Sequence, residues 1–393
     1  MNNLSENKII PYNTQYTDID DINSIVDLFK SGGFLTCGPK VEEFEKAVCN
    51  YTKAKYGVAV SNGTAALHIV CLTLGLKQGD EVIVPAITFA ASSNCVLYTG
   101  AKPVFCDVEE NTLNIDCNKI EHLITENTKA IIAVDMGGMM CDYHRLKEIC
   151  NKHNLVLIED AAHSIGAQET KCPKSPKVGS FADFTTLSFH PVKNITTGEG
   201  GMVMTNNIKY YELLKKYRSH GMTRDFKDRE NCQGKNTIPG HEYDVDLLGY
   251  NYRMTDIQAV LGISQLKKID MFMKRREEIK NYYLEKLKDK TNYPEIQVEC
   301  LNYKFNSANH LFIIKVKNGK RDEIYQKLKD NNIYCNVHYK PIYLFSYYQK
   351  LGYKKGLCPT AERVYKEILS LPIYYKLEDN EINKIIDLIF QCS

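Results

Sequence analysis

A lysine in this chain stands where an amine could do covalent chemistry. Lys193 lies in T-T-L-S-F-H-P-V-K-N-I-T-T-G-E-G-G-M-V-M-T, between an apolar run ending at Phe189 and the run Met202–Met204, with no charged neighbour closer than Glu199. Packing by Pro191, Val192 and Ile195 would strip water from the ammonium, lower its pKa and leave a neutral amine able to attack a carbonyl carbon. Amine and aldehyde condense to a Schiff base. The competing reading is an ordinary surface lysine beside a glycine turn, and this segment alone does not choose between them.

Other segments carry complementary chemistry. In S-N-G-T-A-A-L, Gly63 and Thr64 open a helix, so free backbone amides and the Thr64 hydroxyl suit a phosphate. Simple capping by Ser61, Asn62 or Thr64 is the alternative. Phe89, between an apolar run and the next helix, could stack on a flat ring or fill the core. Asp160, in L-I-E-D-A-A-H, ends a buried run where an unpaired carboxylate is expensive, so it calls for a cation. A protonated pyridine nitrogen would serve, and His163 is close enough to touch the same ring; Asp160 could also merely cap the next helix. Ser188 offers a second phosphate donor. Together these residues describe a site for pyridoxal 5'-phosphate, whose ring stores electrons and whose aldehyde an amine can capture.

The elements that must position them follow from periodicity. Short apolar runs at 57–60, 81–84, 103–107, 130–135, 156–160 and 184–189 alternate with helical patterns such as 64–76 and 143–153. That alternation predicts an α/β fold with a mainly parallel sheet, helices on both faces and ligands at the carboxyl ends of the strands. Helices are also predicted over 18–31, 41–53 and 256–266, followed by a long solvated helix over 267–290. Strands at 311–316 and 333–338 and helices at 322–331 and 378–389 differ in order from what precedes. The reading is therefore a large domain over 1–262 and a smaller C-terminal α/β domain over 263–393.

Composition excludes some classes. With 50 basic and 48 acidic residues the formal charge is +2, which implies neither a nucleic-acid nor a membrane partner. The start M-N-N-L-S-E-N-K lacks the pattern of a signal peptide, and no apolar run approaches a membrane span of about 20 residues, so a cytoplasmic location is expected. Fourteen scattered cysteines without one C-x-x-C pair read as reduced thiols, and no metal is expected.

The segments I-P-Y-N-T-Q, L-T-C-G-P-K-V-E-E-F-E, S-N-G-T-A-A-L-H, E-D-A-A-H-S-I-G-A, S-F-H-P-V-K-N-I-T-T-G-E-G-G, R-S-H-G and L-G-Y-N-Y-R-M-T-D-I-Q-A together resemble the DegT/DnrJ/EryC1/StrS family of sugar aminotransferases. The resemblance spans nearly the full length. It implies the fold type I architecture of pyridoxal-phosphate enzymes, with a large sheet of the seven-stranded type, and a homodimer whose sites draw on both subunits. By that resemblance Lys193 carries the cofactor and is the catalytic base, Asp160 partners the pyridine nitrogen, and Phe89 stacks on the ring. Gly63, Thr64 and Ser188 bind the phosphate, and Asn251 reaches the phosphate of the neighbouring subunit.

Within the family, D-M-G-G-M-M-C-D-Y-H-R-L, S-A-N-H and N-V-H-Y-K-P-I-Y are most similar to the members of pseudaminic acid synthesis, which implies a UDP-linked 4-keto-6-deoxy sugar as acceptor and glutamate as donor. Relatives that dehydrate sugars carry His at the lysine position, so Lys193 favours transamination. Two positions depart from the family pattern: Cys37 stands where Gln is common, and Asn194 follows the lysine where Pro is frequent. For the sugar, His310 and His338 are expected near strand ends over a cleft, the latter clustered with Tyr339 and Lys340 before Pro341. A reading from another class, a regulator that binds cofactor or sugar nucleotide without turnover, has no need of Lys193 or Asp160.

Overall fold

The computed structural model describes residues 8–170, 172, 174–223, 243–288, 296–301 and 307–391; most of the N-terminal stretch inspected for a leader lies outside them. Seven strands form the main sheet: β1 (Tyr56–Val60), β2 (Glu81–Pro85), β3 (Lys102–Cys106), β4 (Thr128–Val134), β5 (Val156–Asp160), β6 (Phe184–Ser188) and β7 (Gly201–Thr205), in the order β1-β7-β6-β5-β4-β2-β3. Only β7 runs against its neighbours, β1 and β6. The others pair in parallel, with Val134 opposite Asp160 and Asp160 opposite Thr186.

These strands read as apolar runs because both faces are covered. Val58, Val60, Val82, Val84, Ile132, Ile158 and Val203 face a core shared with the helix Gly63–Thr73. Ala59, Leu187, Met202 and Met204 face a second core containing Val41, Phe44 and Val48 of the helix Pro39–Thr52. That helix begins at Gly38, which has no side chain to cap it. The buried carboxylate of Asp256 does so from another helix, Asp256–Leu266: Oδ1 accepts from the amides of Gly38 at 2.9 Å and Val41 at 3.1 Å, and Oδ2 from Lys40 at 3.3 Å. Asp256 thereby welds two helices of this layer together.

After two short strands, β8 (Met222–Thr223) and β9 (Asp244–Val245), a separate three-stranded antiparallel sheet is built from β10 (Val298–Cys300), β11 (Phe312–Val316) and β12 (Ile368–Leu371). Its core gathers Phe312, Ile314, Leu328, Leu369 and Ile385. Residue 263 falls within the helix Asp256–Leu266, whose Ile263 and Leu266 pack on the large-sheet side. The helix Ile269–Lys288 is not simply solvated as expected. Its Ile269 and Phe272 join the large-sheet core, and its Ile279 and Tyr283 the small-sheet core, so one helix spans both. The run predicted as a strand at 333–338 makes only isolated bridges, Ile333 to Ile10 and Asn336 to Ser370, and β12 supplies the sheet's third strand instead. No described helix is long and apolar enough to cross a membrane.

Asp256→Ala removes the acceptor for three amides and is expected to lower the free energy of unfolding by about 2 kcal/mol, the scale of a hydrogen bond to a charged group. Urea titration checks this, and an unchanged midpoint and slope would contradict the weld.

Candidate active site

At the carboxyl edge of the large sheet lies a cavity of about 760 Å³, within the usual range for small-molecule sites. Gly63, Thr64, Phe89, Asp160, His163, Ser188, Lys193, His338 and Tyr339 all line it. They arrive from different strand ends: Gly63 and Thr64 after β1, Phe89 after β2, Asp160 and His163 at and beyond the end of β5, Ser188 at the end of β6, and Lys193 from the loop between β6 and β7.

That loop is shaped by its own hydroxyls. Thr196 Oγ1 donates to the Phe189 carbonyl and accepts from Gly198 N at 2.9 Å, while Thr197 Oγ1 donates to the Glu199 carbonyl. Asn194 Nδ2 donates to the Ala308 carbonyl at 2.9 Å, tying the loop to the segment before β11. Lys193 is thus presented by a braced turn. Its ammonium is partly buried, and desolvation lowers its pKa to about 8, against an opposing pull from Asp160. No hydrogen bond to Nζ is made among the described residues.

Asp160 is 5% exposed. Oδ2 accepts from Ser92 Oγ at 2.6 Å and Oδ1 from Ala162 N at 3.2 Å. Desolvation raises its pKa, with Ser92, Ala162 and Lys193 acting in the opposite direction. Among the described residues it has no ion pair, so a buried carboxylate faces the cavity without the cation its charge calls for.

The phosphate cradle has equally specific geometry. Asn62 is the N-cap, its Oδ1 accepting from Ala65 N at 2.8 Å, so the cap is neither Ser61 nor Thr64. The amides of Gly63 and Thr64 open the helix with no intrahelical partner. A Cβ on Gly63 would meet Ser188 Cβ at 3.0 Å, and one on Gly201 would meet the Asn62 carbonyl at 2.5 Å. Glycine at both positions lets the β6–β7 edge sit against the helix start, placing the Ser188 hydroxyl beside the free amides. An amide cradle, an uncompensated carboxylate and a dehydrated amine on one cavity fit the phosphate, the ring nitrogen and the aldehyde of pyridoxal phosphate.

The walls are aromatic. Phe89 is 59% exposed on the cavity side. Tyr339 neighbours both Phe89 and His163, its ring centroid 6.0 Å from Phe89 and 6.2 Å from His163, and its hydroxyl 3.3 Å from His163 Nε2. Burial pushes the His163 pKa well down and the Tyr339 pKa up, so both are neutral at pH 7. His338 Nδ1 is 2.8 Å from Ser370 Oγ, and desolvation depresses its pKa to about 3.

Two expectations do not fit the geometry. His310 does not line the cavity: it is 2% exposed and stacks behind His163 at 4.4 Å, because the segment before β11 packs under the loop after β5. A sugar contact from His310 is replaced by support of His163. Lys340 leaves the cluster with His338 and Tyr339, its Nζ lying 5.1 Å over the Phe345 ring. Asn251, expected to act toward a neighbouring subunit, is exposed, bridges Ser219 and lies outside the cavity of its own chain, as does the exposed Cys37. Sequence reasoning in turn missed Tyr12, whose ring is 5.3 Å from His338, and the pair Thr88 and Ser92 behind Asp160. Tyr12 sits in I-P-Y-N-T-Q, far from the other site segments, and nothing local marks it.

The sequence pattern of the DegT/DnrJ/EryC1/StrS aminotransferase family matches residues 15–390. The chain is 35% identical over 390 residues to the UDP-4-amino-4,6-dideoxy-N-acetyl-beta-L-altrosamine transaminase of Campylobacter jejuni, with 97% of each chain covered. Among solved structures it is similar to Helicobacter pylori PseC, described as an aminotransferase involved in the biosynthesis of pseudoaminic acid. The TM-score is 0.87 at 31% identity, over 98% of this chain and 99% of that one. It is equally similar to the PLP-form of Spr1654 from Streptococcus pneumoniae, with a TM-score of 0.87 and 32% identity over 97% and 98% of the two chains. The fold is that of these pyridoxal-phosphate aminotransferases. With the pattern matched across nearly its whole length and the lysine, carboxylate and amide cradle on one cavity, the chain belongs to the DegT/DnrJ/EryC1/StrS aminotransferase family.

Proposed function

We propose that the protein moves the amino group of glutamate to the 4-keto carbon of a nucleotide-linked 4-keto-6-deoxy sugar, with a UDP-linked N-acetyl hexosulose of the pseudaminic acid type as first candidate. The observation that carries the reading is the convergence of Lys193, Asp160 and the Gly63–Thr64–Ser188 cradle on one cavity. The names of the Campylobacter and Helicobacter relatives support the choice of sugar. In this reading the enzyme works in the cytoplasm as a homodimer, with Asn251 reaching the phosphate of the neighbouring subunit.

Bound pyridoxal phosphate supplies an electrophilic carbon and an electron-withdrawing ring. The chain does the rest. The Gly63 and Thr64 amides and the Thr64 and Ser188 hydroxyls hold the phosphate at a helix N-terminus. Phe89 and His163 flank the ring, and Asp160 keeps the proton on its nitrogen. Lys193 Nζ takes a proton from the α-carbon of the donor and, in the second half of the cycle, delivers one to C4 of the sugar. A pKa near 8 lets the same amine accept and release protons at neutral pH. His338 and Tyr339 face the sugar as neutral hydrogen-bonding groups.

A panel of UDP-, GDP- and dTDP-linked 4-keto sugars with glutamate, read by mass spectrometry, tests the reaction. Amination of a UDP-linked sugar is expected, a preference for another nucleotide would revise the acceptor, and no amination of any would reject the reading. Capture of pyridoxal phosphate by cofactor-free protein should follow the neutral fraction of Lys193. The rate is expected to rise about tenfold per pH unit below pH 8 and to level off above it. A rate still climbing at pH 10 would place the amine in water. His338→Ala should lower kcat/KM for the sugar by at least about tenfold, the worth of one hydrogen bond left unmade, while bleaching of the cofactor band by glutamate keeps its rate. Equal loss in both half-reactions would move His338 to the cofactor.

A further inference from the structure

Behind Asp160 runs a short chain of hydroxyls that the mechanism above does not use. Ser92 Oγ donates to Asp160 Oδ2 at 2.6 Å, and Thr88 Oγ1 lies 2.7 Å from Ser92 Oγ. Both hydroxyl residues are buried, Ser92 at 0% and Thr88 at 1% exposure. Thr88 lines the cavity beside Phe89, whereas Ser92 does not reach it. When Asp160 is ionised it can only accept, so the single proton of Ser92 points to the carboxylate. Ser92 must then accept from Thr88, and the chain has one direction: Thr88 to Ser92 to Asp160. Hydrogen bonds aligned this way polarise one another, and the last, ending on a charge, is the strongest.

Three further features fix the arrangement. Ser92 sits in the first turn of the helix Ala91–Tyr98, so its Cα is held by regular secondary structure. Its backbone amide is anchored on the Phe89 carbonyl at 3.2 Å, so the residue that holds Asp160 shares a turn with the ring that walls the cavity. Ala162 N occupies the other carboxylate oxygen, leaving one orientation of the group.

We propose that Ser92, oriented by Thr88, is a positioning residue for transamination: it fixes the Asp160 carboxylate and weakens it as a base, so that the shared proton stays on the cofactor's ring nitrogen. The proposal rests on the assignment of Asp160 to that nitrogen. A carboxylate deprived of its hydroxyl donor is a stronger base and free to turn, and both changes draw the proton from the ring onto the protein.

The test uses holoenzyme loaded with pyridoxal phosphate carrying 15N at the ring nitrogen. In the wild type the 15N resonance is expected in the range of a protonated pyridine. Ser92→Ala should move it toward the unprotonated range and lower kcat of both half-reactions about ten- to a hundredfold, with KM for the sugar unchanged. Thr88→Val, which removes only the hydrogen bond behind Ser92, should move the resonance the same way by less, and Thr88→Ser should match the wild type. An unmoved resonance in folded Ser92→Ala protein, or a fall in kcat without movement, would overturn the proposal. If Ser92→Ala does not fold, an unmoved resonance in Thr88→Val does so. Failure of the underlying assignment looks different: an unprotonated ring nitrogen in the wild type, or full activity of Asp160→Asn, removes Asp160 from the chemistry and the proposal with it.

Discussion

A carboxylate held out of water, with no ion pair among the described residues, is the constraint around which this molecule is arranged. Taking Asp160 from water costs several kcal/mol, only partly offset by Ser92 Oγ and the Ala162 amide. The cost is tolerable because the sheet supplies rigid surroundings: β5 lies between β4 and β6, and Asp160 is paired opposite Val134 and Thr186. A cationic ring in the cavity would recover the lost solvation. The fold therefore stores a demand for a particular partner at one point of the strand edge.

The same dehydration governs the other groups. It lowers the ammonium of Lys193 toward neutrality and keeps His163, His310 and His338 uncharged, so three imidazoles serve as packing and hydrogen-bonding groups with no added positive charge. With those imidazoles neutral, desolvation alone lowers Lys193, against the opposing pull of Asp160. Supports for this shell come from distant parts of the chain. His310 backs His163, and the buried guanidinium of Arg276 donates to the carbonyls of Asn309, His310 and Ile373 and to Asn13 Oδ1, fastening the segment before β11 to the N-terminal segment and the long helix.

Much of this was legible in the sequence because the large sheet is covered on both faces, which turns each strand into an apolar run of about the right length, and because ligand-facing residues directly follow those runs. The six runs from 57 to 189 and the run Met202–Met204 each became a strand of the sheet. What was not legible depends on contacts across long sequence separations. Ser92 meets Asp160 across 68 positions, and its own segment reads as the start of a small-residue helix. His310 and His338 both stand near predicted strand ends, and only the second has a polar cluster beside it in sequence; the packing of one segment beneath the β5 loop keeps the first off the cavity and leaves the second on it. The strand expected at 333–338 failed for a related reason: β12 takes the place beside β11, so that run contributes only bridges and is left to shape the cavity wall.

The central claim is that Lys193 is the amine that carries the cofactor. Reduction of the yellow holoenzyme with borohydride, followed by proteolysis and peptide mass mapping, tests it most directly. One pyridoxyl group fixed on Lys193, in the peptide containing H-P-V-K-N, is the result the account requires. A pyridoxyl group on another lysine, or none at all in protein that retains full activity, would contradict it.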